Sequence, residues 1–120
     1  MELRFFMTAI IQLHAADFHH DMELQQGTSI VIFTHELCSS CRAWKQLLSR
    51  FKKEHPAIAV FEVDAIRDGA LVNEFEVFHL PALFLYHNGS YHAPLQSELN
   101  MTALSQSIEQ TLLRPAEEMP

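Results

Sequence analysis

The strongest constraint on the fold lies in residues 29–44, where an apolar run ends in a polar turn and a helical pattern begins. Residues 29–34 read SIVIFT and are apolar on consecutive positions, which is typical of a central strand buried on both faces. The helical pattern begins at the only two cysteines of the chain, Cys38 and Cys41, which two serines separate. A Cys-x-x-Cys pair at the start of a helix that follows a strand is typical of dithiol redox chemistry.

The position of this pair predicts different roles for its two sulfurs. At the start of a helix, unpaired backbone N–H groups and the positive end of the helix dipole stabilise a thiolate. We therefore expect Cys38 to ionise more readily than a free cysteine, whose pKa is about 8.5. Cys41 lies one helical turn further on and can attack a mixed disulfide on Cys38. Cys38 is thus predicted to be the attacking thiol and Cys41 the resolving thiol.

Length, composition and charge limit the possible classes of protein. A chain of 120 residues, 48% of them apolar, suits one domain that buries roughly two-thirds of its unfolded surface. The formal net charge is −7, which argues against a role in binding nucleic acid. No stretch approaches the ~20 apolar residues of a membrane span, and Thr8, Gln12 and His14 break up the N-terminal apolar segment, so we expect no cleaved signal peptide. Two cysteines without a wider disulfide framework fit a reducing cytoplasm.

The other patterns predict a chain in which strands and helices alternate until a final hairpin and helix. Asp17, Asp68 and Asn100 are expected to cap helices, since Asp and Asn are favoured at that position. Asn88-Gly89 between two apolar runs predicts a hairpin. We expect residues 1–7 to be an N-terminal extension, residues 8–114 one domain and residues 115–120 a frayed tail. Predicted strands cover residues 9–13, 29–34, 58–63, 82–86 and 91–95, and predicted helices cover 18–25, 38–54, 69–75 and 101–113.

Three features make the sequence resemble the thioredoxin family over about residues 8–113. They are Cys38-Ser39-Ser40-Cys41 at a strand-to-helix junction, Leu80-Pro81 before an apolar strand, and a capped amphipathic helix at the C-terminal end. The resemblance implies the thioredoxin fold, an α/β fold in which a central mixed sheet has helices on both faces in the order β-α-β-α-β-α-β-β-α. It also implies a cis bond between Leu80 and Pro81, where the backbone would pair with an extended substrate.

The sequence departs from the family at the dithiol itself. Thioredoxins usually have Trp-Cys-Gly-Pro-Cys, whereas this chain has Leu37-Cys38-Ser39-Ser40-Cys41. The loss of the tryptophan removes part of the usual substrate surface, and the loss of the proline is expected to change the redox potential. The resemblance still implies that substrates contact this turn and the proline loop, through Leu37, Ser39, Ser40, His79, Leu80 and Pro81.

A second departure concerns the proton that Cys41 must lose. The family commonly has an Asp in the second strand and a Lys in the third, and by position these are Ile32 and Glu62 here. We hypothesise that Glu62 supplies the missing carboxylate and relays the proton of Cys41. In the alternative interpretation, Glu62 lies near the end of its strand and only reaches water.

Several residues near the dithiol have ordinary structural interpretations. The two cysteines can be buried thiols that pack as small apolar residues. His35 and His79 are expected on the rim of the site, either as solvated loop residues or as charges that favour the thiolate, and a zinc site would require both to join the cysteines. Trp44 shares a helix face with Cys41 and Leu48 and is expected in the core.

Together these observations predict a thiol–disulfide oxidoreductase that acts on protein substrates. Its partners would be client proteins and a disulfide reductase or another dithiol protein. No small cofactor or metal is implied, because the dithiol carries the electrons. The alternative is a binding or assembly module of the same fold in which the dithiol is slow or regulatory. The sequence leaves the clients, the direction of exchange, the potential and the oligomeric state open.

Overall fold

The computed structural model describes residues 10–120, and the predicted extension over residues 1–7 lies outside this part of the chain. Strands and helices follow one another in the predicted order, so the α/β fold class is confirmed. The strands are β1 (Ile11–Gln12), β2 (Thr28–Thr34), β3 (Ala59–Asp64), β4 (Ala82–His87) and β5 (Ser90–Pro94). The helices are α1 (Phe18–Glu23), α2 (Ser39–Glu54), α3 (Gly69–Glu74) and α4 (Met101–Leu113).

The five strands form one mixed sheet in the order β1-β3-β2-β4-β5. β2 lies at its centre, parallel to β3 and antiparallel to β4. Residues 29–34 are all buried, as the consecutive apolar residues of this strand predicted. In the register of β2 and β3, Ile32 lies opposite Glu62, so the two strand positions predicted to replace the Asp and the Lys are neighbours.

Alternate side chains of β2 enter two different cores, because successive residues of a strand point to opposite faces of the sheet. Val31 and Phe33 lie in an aromatic core with Phe18 of α1 and with Phe75 after α3. Ile30 and Ile32 lie in an aliphatic core that includes residues of α2 and α4. Helices therefore cover both faces of the sheet, and the dithiol helix α2 packs on the aliphatic face.

The turn between β4 and β5 has the geometry that its sequence predicts. Asn88 and Gly89 have φ angles of 50° and 80°, the left-handed conformation that two-residue hairpin turns require. Asn88 also fastens the hairpin to the start of β2, since its side chain accepts the N–H of Gly27 at 2.7 Å and its own N–H donates to the Gly27 carbonyl at 2.8 Å.

Some element boundaries and caps differ from the predictions. β1 has only two residues, and α1 ends at Glu23 because the N–H groups of Leu24 and Gln25 bond to carbonyls three residues back, which tightens its last turn. Asp17 makes no side-chain cap. Asp68 also makes none, because its carboxylate accepts the N–H of Ala15 at 3.1 Å and is paired with Arg67.

Among residues 10–120, no helix combines the length and the hydropathy needed to cross a membrane.

Candidate active site

The two cysteines lie at the start of helix α2, which follows the central strand β2. Cys38 is the N-cap of this helix, with an extended backbone, and its sulfur accepts the N–H of Cys41 at 3.1 Å. The Cα atoms of Cys38 and Cys41 are 5.2 Å apart and their sulfurs are joined as a disulfide. A backbone N–H at the start of the helix therefore points at the first sulfur, as the sequence predicted from the unpaired donors of a helix terminus.

The two sulfurs differ in their exposure to solvent. Cys38 is partly exposed, whereas Cys41 is buried, with 1% of its surface accessible. The Ser40 hydroxyl lies 3.6 Å from the sulfur of Cys38, so a second polar group accompanies the accessible sulfur. An incoming disulfide would meet Cys38 first, and this arrangement suits the predicted roles of attacking and resolving thiol.

A groove runs beside the Leu80–Pro81 peptide bond, which is cis. We call it the Pro81 groove, and it is lined by Trp44, residues 75–79, 81–84 and 94–97, and Pro120. Trp44 brings helix α2 into its wall, three residues after Cys41. The groove therefore adjoins the helix that carries the disulfide.

The structure divides the predicted substrate contacts between two places. His79 and Pro81 line the Pro81 groove. Ser39 and Ser40 are exposed at the start of α2, and Leu37 stands 80% exposed in the turn before it. The Leu80 side chain instead packs against the aromatic core, so any substrate contact of this residue would have to involve its backbone.

Sequence reasoning missed two aromatic residues of the Pro81 groove. Trp44 packs partly against the aliphatic core, as its helical position predicted, but it also lines the groove. Phe78, for which the sequence predicted no role, also lines the groove and is 88% exposed. The sequence did contain an indication of this exposure, because Phe78 follows the predicted helix over residues 69–75 and is not part of its buried apolar face. Trp44 and Phe78 thus provide aromatic surface in the groove, although Leu37 stands where thioredoxins usually have a tryptophan before the first cysteine.

Glu62 is buried beneath the first turns of α2, with 6% of its surface accessible. Its Oε2 atom accepts the Thr34 hydroxyl at 2.6 Å and lies 3.0 Å from the Lys45 ammonium. Lys45 follows Cys41 by four residues, about one helical turn. The ion pair thus joins the carboxylate to the part of α2 that carries the resolving cysteine.

A path from Glu62 to solvent exists despite its burial. The residue lines an open pocket between β1 and α2, together with Ile10, Gln12, Arg42, Lys45, Gln46 and Ser49. Each interpretation of Glu62, as a buried carboxylate and as a residue that reaches solvent, therefore describes part of its environment. Glu62 is held inside the protein by specific partners, and it also lines a pocket that is open to solvent.

The two histidines near the dithiol do different things. His35 shapes the turn before the disulfide, since its Nδ1 accepts the N–H of Leu37 at 3.2 Å and its carbonyl accepts the N–H of Cys38 at 3.1 Å. His79 is exposed on the wall of the Pro81 groove. Within the described part of the chain, no three His, Cys, Asp or Glu residues are grouped so as to hold a metal ion.

Asp64 ends β3 opposite Thr34 and organises the neighbouring loop. Its carboxylate accepts the N–H groups of Ile66 and Arg67 at 2.9 and 3.0 Å. The Arg67 N–H bond, with a smaller contribution from the Ile66 bond, outweighs burial and holds the pKa of Asp64 below its usual value because both bonds favour the charged form.

Comparisons with known proteins agree with the fold described above. The family model for Thioredoxin matches residues 9–110, and no curated protein sequence matches significantly. Among solved structures, thioredoxin from Trypanosoma brucei brucei is 16% identical, with a TM-score of 0.75 over 95% of this chain and 100% of that one. Thioredoxin f2 from Chlamydomonas reinhardtii is 22% identical, with a TM-score of 0.74 over 85% and 95% of the chains. A chain from a study of thiol resolution in yeast mitochondrial 1-Cys peroxiredoxin through glutathione/thioredoxin systems is 20% identical, with a TM-score of 0.73 over 86% and 96%.

Proposed function

Because the chain belongs to the thioredoxin family, we propose that it is an oxidoreductase that exchanges its dithiol with disulfides of protein substrates. The observation that carries this proposal is the Cys38–Cys41 disulfide at the start of α2, with one sulfur accessible and the other buried. A dithiol in this position can be oxidised and reduced reversibly without any further cofactor.

The first step is the attack of the Cys38 thiolate on one sulfur of a client disulfide. A bond forms between Cys38 and that sulfur while the client disulfide breaks, and the departing client sulfur keeps the bonding electron pair and takes up a proton. The Cys41 N–H, 3.1 Å from the Cys38 sulfur, and the nearby Ser40 hydroxyl support the thiolate before the attack.

In the second step Cys41 attacks the sulfur of Cys38. The mixed disulfide breaks, the second client sulfur leaves as a thiolate, and two electrons have passed from the dithiol to the client. Cys41 must lose its proton for this attack, and we assign the relay of that proton to Glu62. The ion pair with Lys45, one turn after Cys41, and the open pocket beside the carboxylate support this role.

The Pro81 groove is the proposed site for the client backbone. An extended peptide suits a groove that begins beside an X-Pro bond, since its backbone can pair with the chain before the proline. Phe78 and Trp44 offer aromatic contacts there, and Leu37 offers an apolar one beside the disulfide. These contacts support clients that present apolar side chains around their disulfide.

Reduction of the Cys38–Cys41 disulfide needs an electron donor, and we propose a disulfide reductase or another dithiol protein. One structural neighbour comes from a system in which glutathione and thioredoxin resolve a peroxiredoxin thiol, which supports protein thiols as partners. We also propose the reducing cytoplasm as the compartment, since the chain has two cysteines spaced for redox chemistry and no wider disulfide framework.

Reduction of insulin disulfides tests the proposal directly. The reduced protein should turn insulin over, Cys38→Ser should lose the activity, and Cys41→Ser should accumulate a mixed disulfide with the client that intact mass spectrometry detects. If the reduced wild-type protein shows no turnover while Cys38 still alkylates quickly, general activity on protein disulfides is contradicted and a specialised partner is favoured over an inert module. If the protein shows no turnover and Cys38 also alkylates slowly, the alternative of a binding or assembly module with a slow dithiol takes its place.

A further inference from the structure

We propose that residues 115–120 are an intramolecular ligand of the Pro81 groove and compete with client peptides for it. This inference rests on the proposed function, because it assigns that groove to clients. The segment has the sequence PAEEMP and was expected to be a frayed tail. It is exposed and outside any helix, but one of its backbone N–H groups bonds to β5 and its last residue borders the Pro81 groove.

The segment starts from a fixed point at the end of α4. The carbonyl of Thr111 bonds to the His92 imidazole at 2.8 Å and to the N–H of Arg114 at 3.2 Å. The Arg114 guanidinium also lies 3.3 Å from the Thr111 hydroxyl. These bonds tie the end of α4 to β5, so the chain leaves the helix beside the edge of the sheet.

From there the segment joins the free edge of β5. In the part of the chain that is described, β5 pairs with β4 alone, which leaves its other side open to an additional strand. The N–H of Glu117 donates to the carbonyl of His92 at 2.7 Å. His92 thus contacts both the end of α4, through its side chain and Thr111, and the segment, through its carbonyl and Glu117.

The segment then reaches the Pro81 groove. Pro120 lines it together with residues 94–97, the end of β5 and the loop that follows, and with Pro81, Phe78 and Trp44. Glu117 lies opposite His92 and Pro120 lies beside the residues after it, so the segment advances in the direction of β5. A proline at the groove adds apolar surface without a backbone donor that would need a partner.

Pro120 borders the groove beside residues 94–97, so a client peptide that extends along the groove to these residues meets the end of the segment and must displace it. Because the segment is covalently attached, it competes at a high effective concentration. If the segment blocks this end of the groove for most of the time, the apparent affinity for clients falls in proportion to the fraction of protein whose groove is free, about three- to tenfold. The chemistry at Cys38 is unaffected, so the competition should raise KM and leave kcat unchanged.

The experiment uses the full-length chain with one substitution in the segment. Glu117→Pro removes the N–H that bonds to His92, and Glu118→Pro is the matched control, since no hydrogen bond of the Glu118 N–H is found among the described residues. With a peptide disulfide as substrate, Glu117→Pro should lower KM about three- to tenfold at constant kcat, and Glu118→Pro should behave as the wild type. Equal KM values for Glu117→Pro and the wild type would overturn the proposal.

A binding measurement separates this inference from the oxidoreductase proposal. Trp44 is the only tryptophan and lines the groove, so acrylamide should quench its fluorescence more strongly in oxidised Glu117→Pro than in the wild type. The free hexapeptide Pro-Ala-Glu-Glu-Met-Pro should reverse that difference. This result would support the intramolecular ligand even if no disulfide were turned over. Identical quenching in both proteins, with no effect of the hexapeptide, would refute it independently of activity.

Discussion

At the scale of single residues, the chain buries the carboxylate of Glu62, and local partners offset the free-energy cost of burying its charge. An isolated charge in the interior of a protein is strongly unfavourable unless it is paired and hydrogen-bonded. Glu62 has both kinds of partner, the Lys45 ammonium from α2 and the Thr34 hydroxyl from the neighbouring strand. The carboxylate comes from β3, and its counterion reaches it from the helix. The pair therefore spans the interface between the sheet and the redox helix.

We predict that Glu62→Gln slows the second step of disulfide exchange and changes its dependence on pH. The amide can still accept the Thr34 hydroxyl, but it cannot take a proton from Cys41. Loss of a positioned base costs about 10²–10⁴-fold in rate, and we expect the lower end of this range because Glu62 also borders solvent. The measurement is stopped-flow resolution of a preformed mixed disulfide between pH 5 and 9.

The control for Glu62→Gln is Glu54→Gln, the same exchange at an exposed position at the end of α2. It should leave the rate of the second step unchanged. Alkylation of Cys38 in the reduced protein should also be unaffected in Glu62→Gln, because that reaction precedes the resolving step. If the rate and the pH profile of Glu62→Gln match those of the wild type, Glu62 is not the relay.

The residues of the site differ in how well the sequence alone could predict them. Local motifs predict Cys38, Cys41 and Pro81, and the resemblance in strand position predicts Glu62, whose role as a proton relay stays a prediction. Trp44 and Phe78 were missed as groove residues because helical periodicity shows which face of α2 points inward but not where that face borders a groove. Exposure of a loop residue such as Phe78 depends on how distant segments pack, and no local pattern records that.

At the scale of the elements, the β4–β5 hairpin depends on one glycine. Gly89 has a φ of 80°, and a Cβ atom placed there would lie 2.6 Å from the backbone carbonyl oxygen of Glu23. An L-residue is strained in this conformation, and the neighbouring backbone can yield only by moving the end of α1. The hairpin also supplies Asn88, which is bonded to Gly27. A change at Gly89 should therefore disturb three elements.

We predict that Gly89→Ala lowers the free energy of unfolding by about 1–3 kcal/mol, the cost of a strained backbone conformation. Gly69→Ala is the matched control, because no atom lies within 4 Å of a Cβ placed there and its φ is not positive. Gly69 lies in α3, where alanine favours the helix, so this variant should be as stable as the wild type or more stable. Urea unfolding of both variants provides the comparison, and equal stabilities would contradict the prediction.

Element order was predictable, whereas caps were less so. Asn100 caps α4 as expected, with its side chain accepting the N–H of Ala103 at 2.8 Å. Asp68 has the same local signal before α3, but its carboxylate bonds to Ala15 and Arg67 instead. A cap residue has only a few acceptor positions, and partners distant in sequence can take them. Local preference therefore predicts the presence of a helix more reliably than it predicts which groups accept the N–H donors of its first turn.

At the scale of the whole molecule, the aromatic face of the sheet contains two buried tyrosines, Tyr86 and Tyr91. Burial, with a smaller contribution from the charge of Glu117, raises the pKa of Tyr91 to about 12. Burial raises the pKa of Tyr86 further, assisted by the charges of ionised Tyr91 and of Glu74. Both phenols therefore hold their protons more tightly in the folded protein than in the unfolded chain, where the pKa is about 10.

This difference makes the stability of the whole domain sensitive to alkaline pH. Below about pH 10 both states are protonated and the contribution of the tyrosines is fully present. As the pH rises from about 10 towards 12, the unfolded chain releases these protons first, so the free energy of unfolding falls. Urea unfolding at pH 8, 9, 10, 11 and 11.5 should show this loss. A constant free energy of unfolding over that range would contradict it.

Tyr86→Phe isolates the contribution of one phenol, and it has a second expected consequence. The Tyr86 hydroxyl is buried and has no hydrogen-bond partner among the described residues, so its removal leaves no other group unsatisfied and costs little at neutral pH. The variant should be as stable as the wild type at pH 7 and should lose less stability at pH 11. A large loss at pH 7 would mean that the hydroxyl makes a favourable interaction. If the free energy of unfolding of the variant fell as steeply with rising pH as that of the wild type, groups other than Tyr86 would cause the alkaline loss of stability.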